Sequence, residues 1–141
     1  MNIVKLTGSL AVSAQITPAD VAEIAAAGYK VLINNRPDDE EGAQPGGAAI
    51  ASAARAAGLE YHHMPVTAMS FPGADLDAMS DLLDDPARPV FAFCRTGTRC
   101  ANLWVAGREE SAREEAMRVA SQRGFDLGMA AKYIARLAPR D

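Results

Sequence analysis

Short apolar runs alternate along this chain with longer stretches in which apolar residues recur at helical spacing. The short runs are rich in Val, Ile, Leu and Phe, which is typical of strands that a parallel sheet buries on both faces. Glycine and proline separate the runs and indicate turns between the elements. The predicted strands are Tyr29–Asn34, Leu59–Val66 and Pro89–Phe93, with one or two short edge strands between Leu6 and Gln15.

Helical segments lie between and after these strands. The clearest helix start is at Thr17, which we expect to cap a helix that has Pro18 in its first position and ends before Gly28. Ser111, followed three residues later by Glu114, fits a capping box at the start of a later helix. The predicted helices are Pro18–Ala27, Ala48–Ala57, Ala74–Leu83, Arg99–Ala106, Ser111–Gln122 and Asp126–Ala138.

This order of elements predicts an α/β fold with a mostly parallel central sheet flanked by helices. A length of 141 residues is enough for one domain with a substantial core. The hydrophobic content of 49% and the charged content of 23% are ordinary for a globular protein. We therefore expect residues 1–141 to form a single domain.

Composition and hydropathy also limit the partners, the location and the cofactors that we expect. A formal net charge of −4 argues against nucleic acid as an obligatory partner. No apolar run approaches membrane-spanning length, and the first residues lack a signal-peptide core, so we expect a cytoplasmic protein that does not bind membranes. The two cysteines do not make a disulfide framework, and no zinc-type spacing is present, so the sequence implies no metal or organic cofactor. The alanine-rich helices suit packing on a second subunit as well as on the sheet, which leaves a homo-oligomer open.

A hexapeptide with the sequence C-R-T-G-T-R joins the last predicted strand to a helix and is the strongest functional signal. A strand, a short glycine-containing turn and a helix start form a nest for anions, because successive N–H groups point inward and the helix dipole adds positive charge. Cys94 supplies a nucleophile and Arg99 a fixed cation, and both the helix start and the guanidinium favour the thiolate. The predicted anion-binding residues are Arg95, Thr96, Gly97, Thr98 and Arg99.

Other loops should meet this one, because ligands sit at the carboxyl ends of parallel strands. Within the loop after Asn34, Asp38 is the candidate general acid, although an aspartate after Pro37 equally suits a turn. The candidate helpers are Asn35, Arg36, Asp38 and Glu40 from that loop, with Thr67 and Ser70 from the loop after Val66.

Two residues beyond Arg99 are further candidates. Cys100 is either a resolving thiol for an oxidised Cys94 or a small buried residue in the first helical turn. Asn102 is a candidate to hold the loop through side-chain hydrogen bonds.

Four segments of the chain resemble the DUF442 family of bacterial phosphatase-like proteins, also called the beta-lactamase hydrolase-like phosphatase-like domain. The segments are 12–18, 31–38, 63–66 and 93–99, and together they span most of the chain in order. The resemblance implies a dual-specificity-phosphatase-like α/β fold with a Cys-to-Arg anion loop. Members of the family are labelled phosphatases or sulfurtransferases, so the resemblance implies the fold more firmly than the reaction.

The spacing within the loop bears on the reaction. The tyrosine-phosphatase signature has five residues between cysteine and arginine, whereas four separate Cys94 from Arg99. The pattern C-R-T-G-T-R instead resembles the active loop of single-domain rhodaneses. A shorter loop should make a smaller cradle, which favours a persulfide sulfur or a thiosulfate-sized oxyanion over an enclosed phosphate monoester. The loop Thr67–Gly73 also lacks the aspartate that many such phosphatases use to protonate the leaving oxygen.

We therefore predict a cysteine-dependent sulfurtransferase. Cys94 would take sulfur from thiosulfate or a small persulfide and pass it to a thiol acceptor such as glutathione, while Arg99 and the loop amides hold the anionic donor. Two alternatives remain open at this point. One is a phosphatase that hydrolyses phosphate monoesters through a phosphocysteine on Cys94, with Asp38 as acid and then base. The other is a non-catalytic anion or redox sensor that uses the same nest and the two cysteines.

Overall fold

A five-stranded sheet with helices on both faces organises the chain, as seen in a computed structural model that describes residues 1–137. The strands are β1 Ile3–Thr7, β2 Leu10–Ser13, β3 Val31–Asn34, β4 Glu60–His63 and β5 Val90–Phe93. The helices are α1 Pro18–Ala26, α2 Gly47–Ala57, α3 Leu76–Leu83, α4 Thr98–Ala106, α5 Glu110–Gln122 and α6 Gly128–Leu137. None of the helices within the described residues is both long enough and apolar enough to cross a membrane.

The strand order is β1-β2-β5-β3-β4, with β1 antiparallel to β2 and every other pair parallel. This arrangement confirms the predicted mostly parallel sheet flanked by helices. Crossover helices cover both faces, as parallel strands require. Each central strand therefore divides its apolar side chains between two cores. Along β5, Val90 and Ala92 face the core under α3–α6, whereas Phe91 and Phe93 face the core under α1 and α2.

The central position of β5 determines where the cysteine loop lies. Its last residue, Phe93, pairs with Ser13 of β2 on one side and with Asn34 of β3 on the other, so the three strands end at the same level. The N–H of Cys94 donates to the Ser13 carbonyl at 3.3 Å, and the N–H of Asn35 donates to the Phe93 carbonyl at 2.8 Å. Cys94 thus leaves the sheet at its centre, at the carboxyl edge where ligands bind in such folds.

Several predicted boundaries were wrong by a few residues. The first strand begins at Ile3 instead of Leu6, and β4 ends at His63 instead of Val66. Pro65 accounts for the early end of β4, because proline has no N–H to donate to a ladder. The last predicted helix ends at Leu137 among the described residues, and its predicted final residue, Ala138, lies outside them.

The capping box predicted at Ser111 and Glu114 was also wrong. Helix α5 begins at Glu110, and its N-cap is Glu109, whose extended backbone precedes the first helical turn. Ser111 therefore lies inside the helix, where it cannot act as the cap. By contrast, Thr17 caps α1 with Pro18 in the first position, and its N–H donates to the Asp20 carboxylate at 2.8 Å.

Candidate active site

The loop between β5 and α4, residues 94–97, wraps backbone donors around a buried sulfur. Cys94 is fully buried, and its Sγ accepts a hydrogen bond from the N–H of Gly97 at 3.1 Å. Gly97 is the N-cap of α4 and has a φ of 89°, a left-handed conformation that glycine adopts without strain. A Cβ at this position would lie 3.4 Å from both the Phe125 ring and the Ser13 carbonyl carbon. The loop therefore requires glycine for its backbone conformation and for close packing.

The surroundings of Cys94 lower its pKa to about 5. The largest cause is a hydrogen bond from the Cys100 thiol. The N–H groups of Cys100 and Thr96 and the positive charge of Arg99 also lower the pKa, whereas burial raises it. Burial and the neighbouring Cys94 raise the pKa of Cys100 well above its usual value. At neutral pH the two shifts therefore favour a Cys94 thiolate beside a neutral Cys100 thiol.

Arg99 is fixed by groups from two other loops. Its Nη1 and Nη2 donate to the two carboxylate oxygens of Glu40 at 2.7 and 2.8 Å. Nη1 also donates to the carbonyl of Val66 at 2.9 Å. The Arg99 side chain is only 13% exposed, and the hydrogen bond with Glu40 is the largest cause that raises its pKa. A permanent cation is thus held beside the Cys94 thiolate, whose charge also raises the pKa of Arg99.

Glu40 joins Arg99 to a second, buried arginine. Arg36 is 3% exposed; its Nε donates to Glu40 at 2.9 Å, and its Nη1 donates to the side-chain oxygen of Gln15 at 2.9 Å. Hydrogen bonds from Arg99, the larger effect, and from Arg36 lower the pKa of Glu40 to about 2. The sequence placed Arg36 and Glu40 at this edge, but it gave no sign that Glu40 pairs with Arg99 or that Gln15 takes part.

The remaining residues of the cysteine loop are more exposed. The Nε of Arg95 lies 2.7 Å from Glu41, and its side chain is 62% exposed. The hydroxyl of Thr96 donates to that of Thr98 at 3.0 Å. Arg95 is therefore an outward charge at the rim, whereas the two threonines close a hydrogen bond across the start of α4.

Two other predicted site residues serve packing and loop geometry. The Nδ2 of Asn35, which is fully buried, donates to the Met64 carbonyl at 2.8 Å, so this side chain turns into the core. A carboxylate oxygen of Asp38 accepts the N–H of Gly47 at 2.7 Å, at the first turn of α2. The roles predicted for these two residues in the reaction remain predictions.

Asn102 joins the active loop to the start of α6. Its Nδ2 donates to the carbonyls of Thr98 at 2.9 Å and Asp126 at 2.8 Å, and its Oδ1 accepts the N–H of Ala130 at 3.0 Å. All three contacts are made by a fully buried side chain. The hydrogen bond to Thr98 is of the kind that the sequence predicted for Asn102, and the two contacts beyond α4 were not predicted.

Comparison with known proteins places this chain in a family. A model of the family described as the phosphatase-like domain of beta-lactamase hydrolase-like proteins matches residues 2–111. The chain belongs to this family. It is 35% identical over 139 residues to a beta-lactamase hydrolase-like protein of Agrobacterium fabrum, covering 96% of this chain and 32% of the relative. The chain therefore spans about a third of the length of the curated relatives it matches.

Solved structures confirm the fold that the resemblance implied. A candidate phosphatase from Neisseria meningitidis is 38% identical, with a TM-score of 0.75, and the match covers 94% of this chain and 96% of that one. The structure described as Tk-PTP in the active form has a TM-score of 0.71 at 18% identity and covers 96% of both chains, which bears on the fold alone. The phosphatase-like domain thus has a tyrosine- or dual-specificity-phosphatase-like fold.

Family membership supports an enzyme of phosphatase-like type. Of the two reactions considered from the sequence, the comparisons favour phosphate-ester hydrolysis and give no support to sulfur transfer. The cysteine loop lies at the usual ligand edge of the sheet and carries a stabilised thiolate beside a fixed guanidinium. This arrangement suits nucleophilic attack by sulfur on a small anionic substrate.

Proposed function

We propose that this phosphatase-like domain is a sulfurtransferase that carries sulfur as a persulfide on Cys94. The observation that carries the proposal is the short loop to Arg99, whose N–H groups close on the sulfur atom itself. The N–H of Gly97 lies 3.1 Å from Sγ, and the N–H groups of Thr96 and Cys100 also stabilise the thiolate. Donors gathered this closely suit a terminal sulfur anion better than three phosphate oxygens spread above the cysteine.

The first half of the reaction needs no general acid. The Cys94 thiolate attacks the outer sulfur of thiosulfate, and the sulfur–sulfur bond of thiosulfate breaks. Sulfite leaves with the bonding electron pair as a stable anion, while the negative charge stays on the new Cys94 persulfide. Arg99 neutralises part of the charge that the donor brings into the loop.

In the second half, an acceptor thiolate such as that of glutathione attacks the outer sulfur of the Cys94 persulfide. The acceptor becomes a persulfide, and the Cys94 thiolate returns with the electron pair of the broken bond. No outside oxidant or reductant is consumed. A thiol with a pKa of about 5 is a good leaving group for this step.

A second candidate function is hydrolysis of phosphate monoesters, which the family and the 38% identical candidate phosphatase favour. Cys94 would then form a phosphocysteine, and Arg99 would bind the equatorial oxygens. This reaction has to protonate a poor leaving group. The loop Thr67–Gly73 contains no carboxyl group, and Asp38, the predicted acid, accepts a hydrogen bond at the start of α2.

The test is a paired turnover assay on the unmodified protein and on Cys94→Ser. One half supplies thiosulfate or glutathione persulfide with an acceptor thiol, and the other half supplies an aryl phosphate. We expect sulfur transfer from the unmodified protein, negligible phosphate release, and a loss of roughly a thousandfold or more in Cys94→Ser, because a serine hydroxyl is not ionised.

Cysteine-dependent phosphate release without sulfur transfer would overturn the proposal in favour of the second candidate. Inactivity in both assays, with loss of free thiols on mild oxidation, would instead support the sensor considered from the sequence. Cys94→Ser retains Cys100, so any oxidation that persists in this variant does not come from the active thiol.

A further inference from the structure

A groove of about 520 Å³ lies between the loop that follows β4 and helix α6. Its volume is within the range that small-molecule sites in proteins occupy. Apolar side chains line both walls, with Met69 and Phe71 from the loop and Met129 from α6. The charged side chains that line it are two cations, Lys132 and Arg136, and within residues 1–137 no carboxylate belongs to the lining.

Both walls of the groove are attached to the first turn of α4, which carries Arg99. The carbonyl of Val66, where the loop wall begins, accepts a hydrogen bond from Nη1 of Arg99 at 2.9 Å. On the other side, the N–H of Ala130 in α6 donates to Asn102 at 3.0 Å, and Asn102 donates to the Thr98 carbonyl at 2.9 Å. The walls are therefore fixed to the same end of α4 as the active loop.

The loop wall is held in shape by its own hydrogen bonds. The N–H of Thr67 donates to the Ser70 hydroxyl at 2.9 Å, and the N–H of Ser70 donates to the Thr67 hydroxyl at 3.0 Å. Phe71 is buried and packs edge-on against Tyr133 of α6, whereas Met69 is 99% exposed at the rim. A flexible, polarisable methionine suits contact with a ligand that comes and goes.

The charge of the groove is opposite to that of the chain. The formal net charge of the chain is −4, yet Lys132 and Arg136 form no salt bridge with a carboxylate of residues 1–137. The two cations are four positions apart on α6, so they are neighbours on one helix face and repel each other. A carboxylate of a ligand would relieve this repulsion through charge-assisted hydrogen bonds to both.

We propose that this groove binds the acceptor of the sulfur transfer, and that the acceptor is a small thiol that carries a carboxylate. The inference rests on the proposed function for the presence of an acceptor. Lys132 and Arg136 hold the carboxylate, the methionines contact the carbon chain, and the thiol end extends toward the persulfide on Cys94. Glutathione belongs to this class of thiol.

The experiment measures kcat/KM for three acceptor thiols of similar size, with thiosulfate as the donor. The acceptors are 3-mercaptopropionate, which is anionic, 2-mercaptoethanol, which is neutral, and cysteamine, which is cationic. Each thiol is compared with itself between proteins, so its intrinsic reactivity cancels. The variants are Lys132→Gln and the double variant Lys132→Gln/Arg136→Gln. The control, Lys30→Gln, removes an exposed cation just before β3, at the opposite edge of the sheet.

We expect kcat/KM for 3-mercaptopropionate to fall about threefold in Lys132→Gln and about tenfold in the double variant, which is the size of one and two exposed ion pairs. The loss should lie in KM, because the carboxylate is bound equally before and during the transfer. Glutathione should follow 3-mercaptopropionate, 2-mercaptoethanol should change less than about twofold, and cysteamine should improve. Equal losses for all three thiols, or the same loss in Lys30→Gln, would overturn the inference.

Binding is measured apart from turnover with S-methylglutathione, which has no thiol to accept sulfur. It should shift the methyl NMR signals of Met69 and Met129 in the unmodified protein, and less so in the double variant. If the protein did not transfer sulfur, these shifts would still support the groove as a carboxylate site. If sulfur transfer proceeded but the two signals stayed unmoved, or moved only with protein concentration as in a dimer, the inference would fail while the proposed function stood.

Discussion

The two loops that build the site contribute different kinds of group: one contributes backbone N–H groups and the other contributes side chains. The loop of residues 94–97 contributes backbone groups, because the N–H groups that help to stabilise Cys94 belong to this loop and to the first turn of α4. The loop of residues 35–46 works through side chains, because Arg36 and Glu40 reach across to groups on other elements. A backbone nest needs a fixed spacing and a glycine, so it leaves a motif in the sequence. A side-chain network needs only that its members meet in space.

The largest difference between the two loops should appear when one glycine in each loop is replaced by alanine. We expect Gly97→Ala to lower the free energy of unfolding by about 1–2 kcal/mol, because alanine is strained at a φ of 89°. The new methyl group would also press on Phe125 and Ser13, which would move the Gly97 N–H away from Cys94. Thermal unfolding and thiosulfate turnover measure the two effects, and we expect turnover to fall more than about tenfold from the lost N–H contact.

Gly42→Ala is the matched control in the other loop. A Cβ at Gly42 would meet nothing within 4 Å, and its φ lies outside the left-handed region. This substitution should change stability by no more than about 0.5 kcal/mol. If both alanine variants behaved alike, the view that only the cysteine loop depends on its backbone would be wrong.

A smaller effect concerns Cys100, a side chain that assists the backbone N–H groups in stabilising the Cys94 thiolate. The Cys100 thiol is the largest cause of the low pKa of Cys94, so Cys100→Ala should raise that pKa above its present value of about 5. The sign follows from the charge, since losing a donor to the thiolate favours the thiol. Alkylation of Cys94 by iodoacetamide should therefore reach half its maximal rate at a higher pH in Cys100→Ala than in the unmodified protein.

Cys100→Ser controls for the cavity that alanine leaves. The serine hydroxyl keeps a hydrogen-bond donor of similar size at the buried position, so its midpoint should lie between those of the unmodified protein and of Cys100→Ala. An unchanged midpoint in Cys100→Ala would mean that the backbone N–H groups and Arg99 stabilise the thiolate without help from Cys100.

The sequence predicted the fold and the position of the cysteine loop at the edge of the sheet, for a physical reason. Apolar runs and helix starts are local signals, and the nest around Cys94 lies within one short segment. The pairing of Glu40 with Arg99 joins residues 59 positions apart, and the contact of Arg36 with Gln15 spans 21 positions. Such pairings depend on how the strands align, which no local pattern specifies.

Asn35 illustrates the same limit within a single loop. It follows β3 directly and was expected at the open edge of the sheet. Its N–H instead continues the pairing with β5, and its side chain turns inward to the Met64 carbonyl. A polar residue at the end of a strand faces the ligand or the core according to whether its backbone still pairs with the neighbouring strand. This depends on where the strand ends, and the boundary between strand and loop is the least predictable part of an element.

The smallest expected effect concerns Asp38, whose substitution distinguishes the two candidate functions. Asp38→Asn keeps an oxygen that can accept the Gly47 N–H but removes the proton that a general acid would donate. Asp38→Ala removes both, so it should cost about 1 kcal/mol of stability, as the loss of a helix cap does.

For sulfur transfer we expect Asp38→Asn to stay within about twofold of the unmodified protein in thiosulfate turnover, since sulfite needs no proton to leave. A phosphatase that used Asp38 as its acid would instead lose most of its aryl phosphate hydrolysis in Asp38→Asn while keeping its melting temperature. That outcome would make the loop of residues 35–46 the source of the catalytic acid as well as of the carboxylate that holds Arg99.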